Sequence, residues 1–244
     1  MKTKEATRYM LQDSLKSCII FYGVIAFIII VSLIIKYALG VVDMGTSGMG
    51  SATFIFLFVV GLNSFKSQFT LFLQNGISRR TMLVGFVLSS LIVALGMGLI
   101  DSLYPLALRG VLGFETTYQM MYSAGTGFGA FVMGLIWNVL AYFTALCFGF
   151  LVTTLYYRMN KALKLIVSIG VPVLLFVAFP LLEVLVPSIN IMSRLMNALT
   201  WMLGFDLSTG AVSPVRSFGS FCVLSAAFAG LSYLLIRRAT VKSE

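Results

Sequence analysis

Residues 19–39 read IIFYGVIAFIIIVSLIIKYAL, a run of 21 in which Lys36 is the only charge. About 20 apolar residues carry a helix across the hydrocarbon layer of a bilayer, so this run is long enough to span it. It is too long for the apolar core of a secretion signal and no convincing small-residue cleavage site follows, so it is expected to stay as a first span. Similar runs recur along the 244 residues, and 59% of the chain is hydrophobic against 10% charged, with a mean hydropathy of +1.01. An ordinary soluble domain carries roughly a quarter charged residues. An all-α membrane protein is therefore expected; disorder, collagen-like repeats and a nucleic-acid-binding module are excluded, in spite of a net charge of +9.

A second span is expected over 48–66, after the Gly- and Ser-rich stretch 45–51, and a third over 82–104, with Asp101 near its end and Pro105 closing it. Between Glu115 and Arg158 lie 42 uncharged residues, too few for two spans and a turn. Their early part is rich in Gly, Ser and Thr, so one fourth span over 129–157 is the better reading, and Gly125, Gly127 and Gly129 read as a turn or packing feature. A fifth span over 164–186 contains Pro172, Pro180 and Glu183; neighbouring groups re-satisfy freed carbonyls in membrane helices, so it is expected to be kinked. The sixth, 217–236, stops at Arg237 and Arg238.

Six spans put both termini on one side. Taking that side as the cytoplasm, its segments hold 13 of the 17 basic residues against three acids, for +10. Lys36, Arg109, Arg194 and Arg216 face five acids on the outside, for −1, so the positive-inside rule is met at every loop. The basicity is thus a topological label rather than a sign of a nucleic-acid partner.

Absences narrow the chemistry. The chain has no histidine, which removes histidine-based zinc sites and Ser-His or Cys-His catalysis. Cys18, Cys147 and Cys222 show no CxxC spacing and read as small buried hydrophobes. No G-x-x-x-x-G-K-[ST] loop supplies an ATP site.

Three segments are neither loop nor span. Over 4–17, Leu11, Leu15 and Cys18 fall on one helical face with Met10 alongside, and Lys4, Arg8, Gln12 and Lys16 mostly on another. This predicts an amphipathic helix on the inner leaflet, the alternative being a plain basic flank. From Asn63 the sequence reads NSFKSQFTLFLQNGISRRT. Phe65, Phe69 and Phe72 share a helical face, Gln74, Asn75 and Gly76 form a turn, Ser78 is a plausible N-cap, and Arg79 and Arg80 sit at the mouth of the third span. Lys66 and Gln68 at mid-depth in lipid would be costly. The block therefore divides into a span ending near Lys66 and a surface helix and turn over 67–78, which gives a partner something to push on; a mere topological connector is the alternative. Over 188–203, Ile191, Leu195, Leu199 and Met202 form an apolar stripe, and Trp201 suits an interface.

The sequence FKSQFTLFLQNGISRRTMLVGF, followed by a span ending LIDSLY, resembles the region between the second and third helices of short permease subunits of ABC-2 type transporters, common in Gram-positive bacteria. The agreement extends over nearly the whole chain: a basic amphipathic start, six spans, both ends inside and a long segment between spans five and six. The resemblance implies that the helix in the first cytoplasmic loop is a coupling helix docking on a separate ATP-binding subunit. Its residues here are Phe65, Phe69, Phe72, Gln74, Asn75, Gly76, Ile77, Ser78, Arg79 and Arg80. It also implies short re-entrant outer helices over 188–203, against the alternative of an amphipathic loop on the outer leaflet. A second permease subunit is implied, identical or not, as are ATP and Mg on the partner only, no cofactor and no enzyme activity in this chain, and a place in the bacterial cell membrane.

Lys36, Asp101 and Glu183 are each expected near the outer end of a span. There they either snorkel or form a local Lys36–carboxylate pair, or else line an outer gate, a cation site in the pathway or a proton-coupling site. The leading expectation is an exporter permease for amphipathic peptides, antimicrobial compounds or lipids. A secondary transporter or channel would instead carry charges or broken helices at mid-membrane. An intramembrane enzyme lacks a recognisable nucleophile and base.

Overall fold

A computed structural model describes residues 2–39, 49–185, 190–207 and 209–237, with the side chains of 2, 39, 66, 67 and 111 left aside. The order is α1 (Lys2–Leu39), α2 (Met49–Asn63), α3 (Lys66–Gln74), α4 (Arg79–Leu112), α5 (Thr117–Tyr122), α6 (Phe128–Arg158), α7 (Lys161–Val173), a π turn (Leu174–Ala178), α8 (Phe179–Leu185), α9 (Ile191–Met202) and α10 (Pro214–Arg237). Among the described residues no strand forms, only a single bridge between Phe205 and Val212. Six helical stretches are long and apolar enough to cross a membrane: Thr3–Ala38, Met49–Gln74, Arg79–Gly110, Phe128–Arg158, Lys161–Leu185 and Pro214–Arg237. The chain is thus a multi-pass helical membrane protein. The expected start of the second span at 48, the end of the fifth at 186, the first residues of the outer segment and the basic tail from Arg238 lie outside the described residues.

The chain divides into two compact units, Met1–Thr154 with Phe221–Glu244, and Leu155–Ser220. In the first, α1 and α4 run side by side in the same direction. Ala6 lies beside Gly85, Cys18 contacts Met97 and Tyr22 contacts Asp101, and each pair is separated by 79 positions. The expected surface helix at the start and the first span are consequently one helix, which buries Ala6, Met10, Cys18 and Ile25. Leu15, placed on the apolar face by periodicity, is half-exposed, outside the face formed by Ala6, Met10, Cys18 and Ile25.

Lipid tails are as apolar as leucine, so helices in a bilayer associate through close packing, and small residues mark the contacts. A Cβ on Gly61 would strike the Leu146 carbonyl, and one on Gly149 the Phe58 carbonyl and the Leu62 amide. Backbone therefore meets backbone between α2 and α6, and the Thr153 hydroxyl donates to the Leu62 carbonyl at 2.5 Å beside it. Aromatic pairs fill the wider gaps: Phe21 stacks on Phe56 at 4.3 Å and Phe86 on Phe150 at 3.9 Å between ring centres.

Pro105 does not close the third span; α4 continues to Leu112 and ends at Gly113 in the left-handed region, with φ of 67°. A proline removes one helical donor without ending a helix that neighbours support. In the second unit, Pro172 and Pro180 flank the π turn Leu174–Ala178, so the expected irregularity of the fifth span takes the form of a widened turn. Beyond it, α9 leaves Leu195, Met196, Leu199 and Trp201 exposed, and the Ser193 hydroxyl donates to Glu183 at 3.0 Å.

Candidate functional site

The helix α3 follows α2 after a two-residue turn and carries its aromatic stripe inward. Phe65, Phe69 and Phe72 are at most 2% exposed. Phe65 stacks on Phe69 and meets Phe150 edge-on, while Phe72 meets Tyr9 of α1 edge-on at 5.8 Å. Gln68 is buried too; its amide donates to Asp13 at 3.2 Å, which ties α3 to α1 a second time. The three phenylalanines therefore anchor the helix to its own bundle and are not themselves available to a partner. Exposed instead are Leu71, Gln74, Asn75 and Gly76.

The turn after α3 is built as its residue types dictate. Gly76 takes φ of 65°, a conformation costly to residues bearing a Cβ. The Ile77 amide donates to the Phe72 carbonyl at 2.9 Å and the Gly76 amide to the Leu73 carbonyl at 3.1 Å, the paired closure that satisfies the last carbonyls of a helix. Ser78 then accepts from the Thr81 amide at 3.2 Å and starts α4. Arg79 donates to the Arg237 carbonyl at 2.6 Å, whereas Arg80 is exposed. Local side-chain chemistry thus fixes the angle between α3 and α4.

The second candidate centres on Asp101, which is 4% exposed. The Tyr22 hydroxyl of α1 donates to one carboxylate oxygen at 2.8 Å and the Tyr142 hydroxyl of α6 to the other at 2.5 Å, with the Thr53 hydroxyl of α2 alongside. Four helices thereby converge on one carboxylate. Pro105, one turn on, has no N–H to give the Asp101 carbonyl, which loosens the backbone at the same level. Next to it Ser102 donates to the Gly98 carbonyl and accepts from the Asn138 amide nitrogen, and the Asn138 carbonyl oxygen is buried with no partner.

The pairing of α1 with α4 fixes their register. Tyr22 is near the start of the run 19–39, yet Asp101 was expected near the outer end of 82–104; hydrogen-bonded, they share one level. The register of α1 on α4 thus sets Tyr22, near one end of its apolar run, level with Asp101, near the other end of its own. Lys36 is 14 residues past Tyr22, roughly 21 Å along α1 at 1.5 Å per residue, so the expected local pair with it does not form at Asp101. Glu183 belongs to the second unit, where it is half-buried and accepts from Ser193.

No protein-family model, no curated protein and no solved structure matches the chain. Among the described residues no group of three or more His, Cys, Asp or Glu could hold a metal ion. Sequence reasoning singled out Asp101 but not Tyr22, Thr53, Ser102, Asn138 or Tyr142. Asn138 carried a signal, being the one Asn in the uncharged run 127–157, one helical turn from Tyr142.

Proposed function

We propose that the chain is the membrane-spanning permease subunit of an ATP-binding cassette exporter, paired with a second permease chain and coupled to a separate ATPase that holds ATP and Mg. The observation that carries this reading is the two-sidedness of α3: one face locked by Phe65, Phe69 and Phe72 into its own bundle, the other presenting Leu71, Gln74, Asn75 and Gly76. A coupling element needs both faces, one to receive a push and one to pass it on. With both termini in the cytoplasm of a bacterial cell, α3 lies at the inner surface beside Arg79 and Arg80, and α9 forms a short helix on the outer side. Amphipathic peptides, antimicrobial compounds or lipid-like molecules are the substrates suited to such apolar spans.

Co-expression with the neighbouring genes tests this. An ATPase should co-purify, and Leu71→Glu with Gln74→Ala should lower its stimulated ATP hydrolysis about tenfold, an amount equal to roughly 1.4 kcal/mol, while the melting temperature holds. Absence of a co-purifying ATPase, or unchanged stimulation in the double variant, removes the coupling role.

One observation favours a second reading, a secondary transporter. Asp101 is a buried carboxylate on a candidate membrane span, beside a proline-interrupted helix turn, features such transporters use to bind coupling ions. Substrate movement into liposomes without nucleotide, lost in Asp101→Asn, would select it.

A further inference from the structure

We infer that α9 and the first turn of α10 hold one membrane phospholipid, its phosphate on the Arg216 guanidinium and an acyl chain along the apolar side of α9. The site stands apart from the transport reading, and neither it nor its test depends on an ATPase.

Residues 186–213 leave one candidate span, Lys161–Leu185, and lead into the next, Pro214–Arg237, so α9 and Arg216 lie at a membrane surface whichever side that is. No residue of the 12-residue helix α9 is buried. Leu195, Met196, Leu199 and Trp201 are exposed on it, and Val215 joins them from the start of α10 at 70% exposure. An amphipathic helix at a bilayer surface sinks its apolar side to the boundary between headgroups and acyl chains. Tryptophan favours the same level. The cover this face calls for is therefore acyl chain, and the groups next above it are lipid phosphates.

At that level stands a cation without an anion. The Arg216 guanidinium lies 5.0 Å above the centre of the Trp201 ring. Its Nη1 is shut from water and donates to nothing. The ring face attracts a cation through its quadrupole but offers no lone pair. Among the described residues no carboxylate pairs with Arg216: Glu183 accepts from Ser193 at 3.0 Å and Asp206 from the Thr209 amide at 3.4 Å. Arg216 also belongs to the first turn of α10, the electropositive end of a helix, where the backbone opposes a cation. Leaving a buried charged donor without an acceptor is costly. A phosphate supplies the missing charge and the missing acceptor at once, since the planar fork of arginine gives it two parallel hydrogen bonds. Arg216 as a whole is half-buried on a flexible stem, so the fork can meet an oxygen arriving from the headgroup layer. An acyl chain attached to that phosphate has the exposed stripe of α9 to lie on.

The test uses the full chain with Trp137→Phe in dodecyl maltoside micelles, so that Trp201 is the sole tryptophan, titrated with phosphatidylglycerol brominated on its acyl chains. Saturable quenching of Trp201 is expected, and Arg216→Gln should weaken the binding about tenfold. Diacylglycerol with the same brominated chains should quench weakly and without saturation, and a millimolar excess of inorganic phosphate should leave the quenching by the phospholipid unchanged. Unchanged affinity in Arg216→Gln, or saturable quenching of equal strength by diacylglycerol, overturns the inference and marks the face as a plain lipid contact. Displacement by inorganic phosphate overturns it in favour of a free anion. Absence of quenching overturns it too, since protein, a second copy or another chain, then covers α9. If Arg216→Gln does not fold, the diacylglycerol and phosphate arms decide alone.

Discussion

Two short helices, α3 and α9, carry apolar stripes that look alike in sequence. In α3, Phe65, Phe69 and Phe72 make a stripe; in α9, Ile191, Leu195, Leu199 and Met202 make another. Yet the first stripe is sealed inside the bundle, while Leu195 and Leu199 stand 37% and 48% exposed. The difference lies in what each helix meets. Aromatic rings from α1, α4 and α6 reach the level of α3, where Phe72 meets Tyr9 and Phe86 stacks on the Phe150 that Phe65 touches. Within its own unit α9 is held by the Ser193–Glu183 bond and by the Arg216 guanidinium 5.0 Å above the Trp201 ring, contacts that leave the apolar side uncovered. An amphipathic pattern thus specifies that a face avoids water, and only the tertiary contacts decide whether protein or lipid provides the cover.

The strongest attempt to break this contrast is to hollow out both stripes. Burial makes each phenylalanine truncation in a core cost about 3–5 kcal/mol, so Phe69→Ala with Phe72→Ala should lower the melting temperature sharply or prevent purification. Leu195→Ala with Leu199→Ala should cost under about 1 kcal/mol in detergent, as exposed substitutions do. Equal losses in the two pairs would mean that α9 is packed as tightly as α3.

A smaller effect concerns how α3 is aimed. Ser78→Ala removes the cap that starts α4 and should cost about 1 kcal/mol, read as a modest drop in melting temperature. Restoration by Ser78→Asp, another capping residue, would confirm that the cap is the cause; no change in either variant would show that tertiary packing alone sets the angle between α3 and α4.

The smallest effect is optical. The chain has two tryptophans, Trp137 at 6% exposure and Trp201 at 52%. In Trp137→Phe the remaining emission should be strongly quenched by interfacial brominated lipid, and in Trp201→Phe it should be largely protected. Similar quenching in both would contradict the exposed position of α9.

The long apolar runs made six helices legible before any coordinates, and local chemistry around α3 showed the shared face of Phe65, Phe69 and Phe72, the Gly76 turn and the Ser78 cap; that this face turns inward to its own bundle, away from a partner, was set by the rings of α1 and α6. Pro105 misled because a helix stop that holds in water does not hold among supporting helices. The Asp101 cluster was hidden for a different reason. Tyr22, Thr53, Asn138 and Tyr142 spread over 120 positions, and each alone reads as a packing or interfacial residue. The parallel register of α1 with α4, which sets Tyr22 beside Asp101, likewise cannot be read from one helix at a time.

The π turn Leu174–Ala178 has a consequence for how this chain tolerates change in length. A π turn holds more residues than an α turn, since its hydrogen bonds run from i to i+5. One residue can thus be lost there as the turn tightens to an α turn, whereas the same change inside α6 would rotate everything beyond it by about 100°. The segment between Pro172 and Pro180 is accordingly where removal of one residue should disturb the helix faces least.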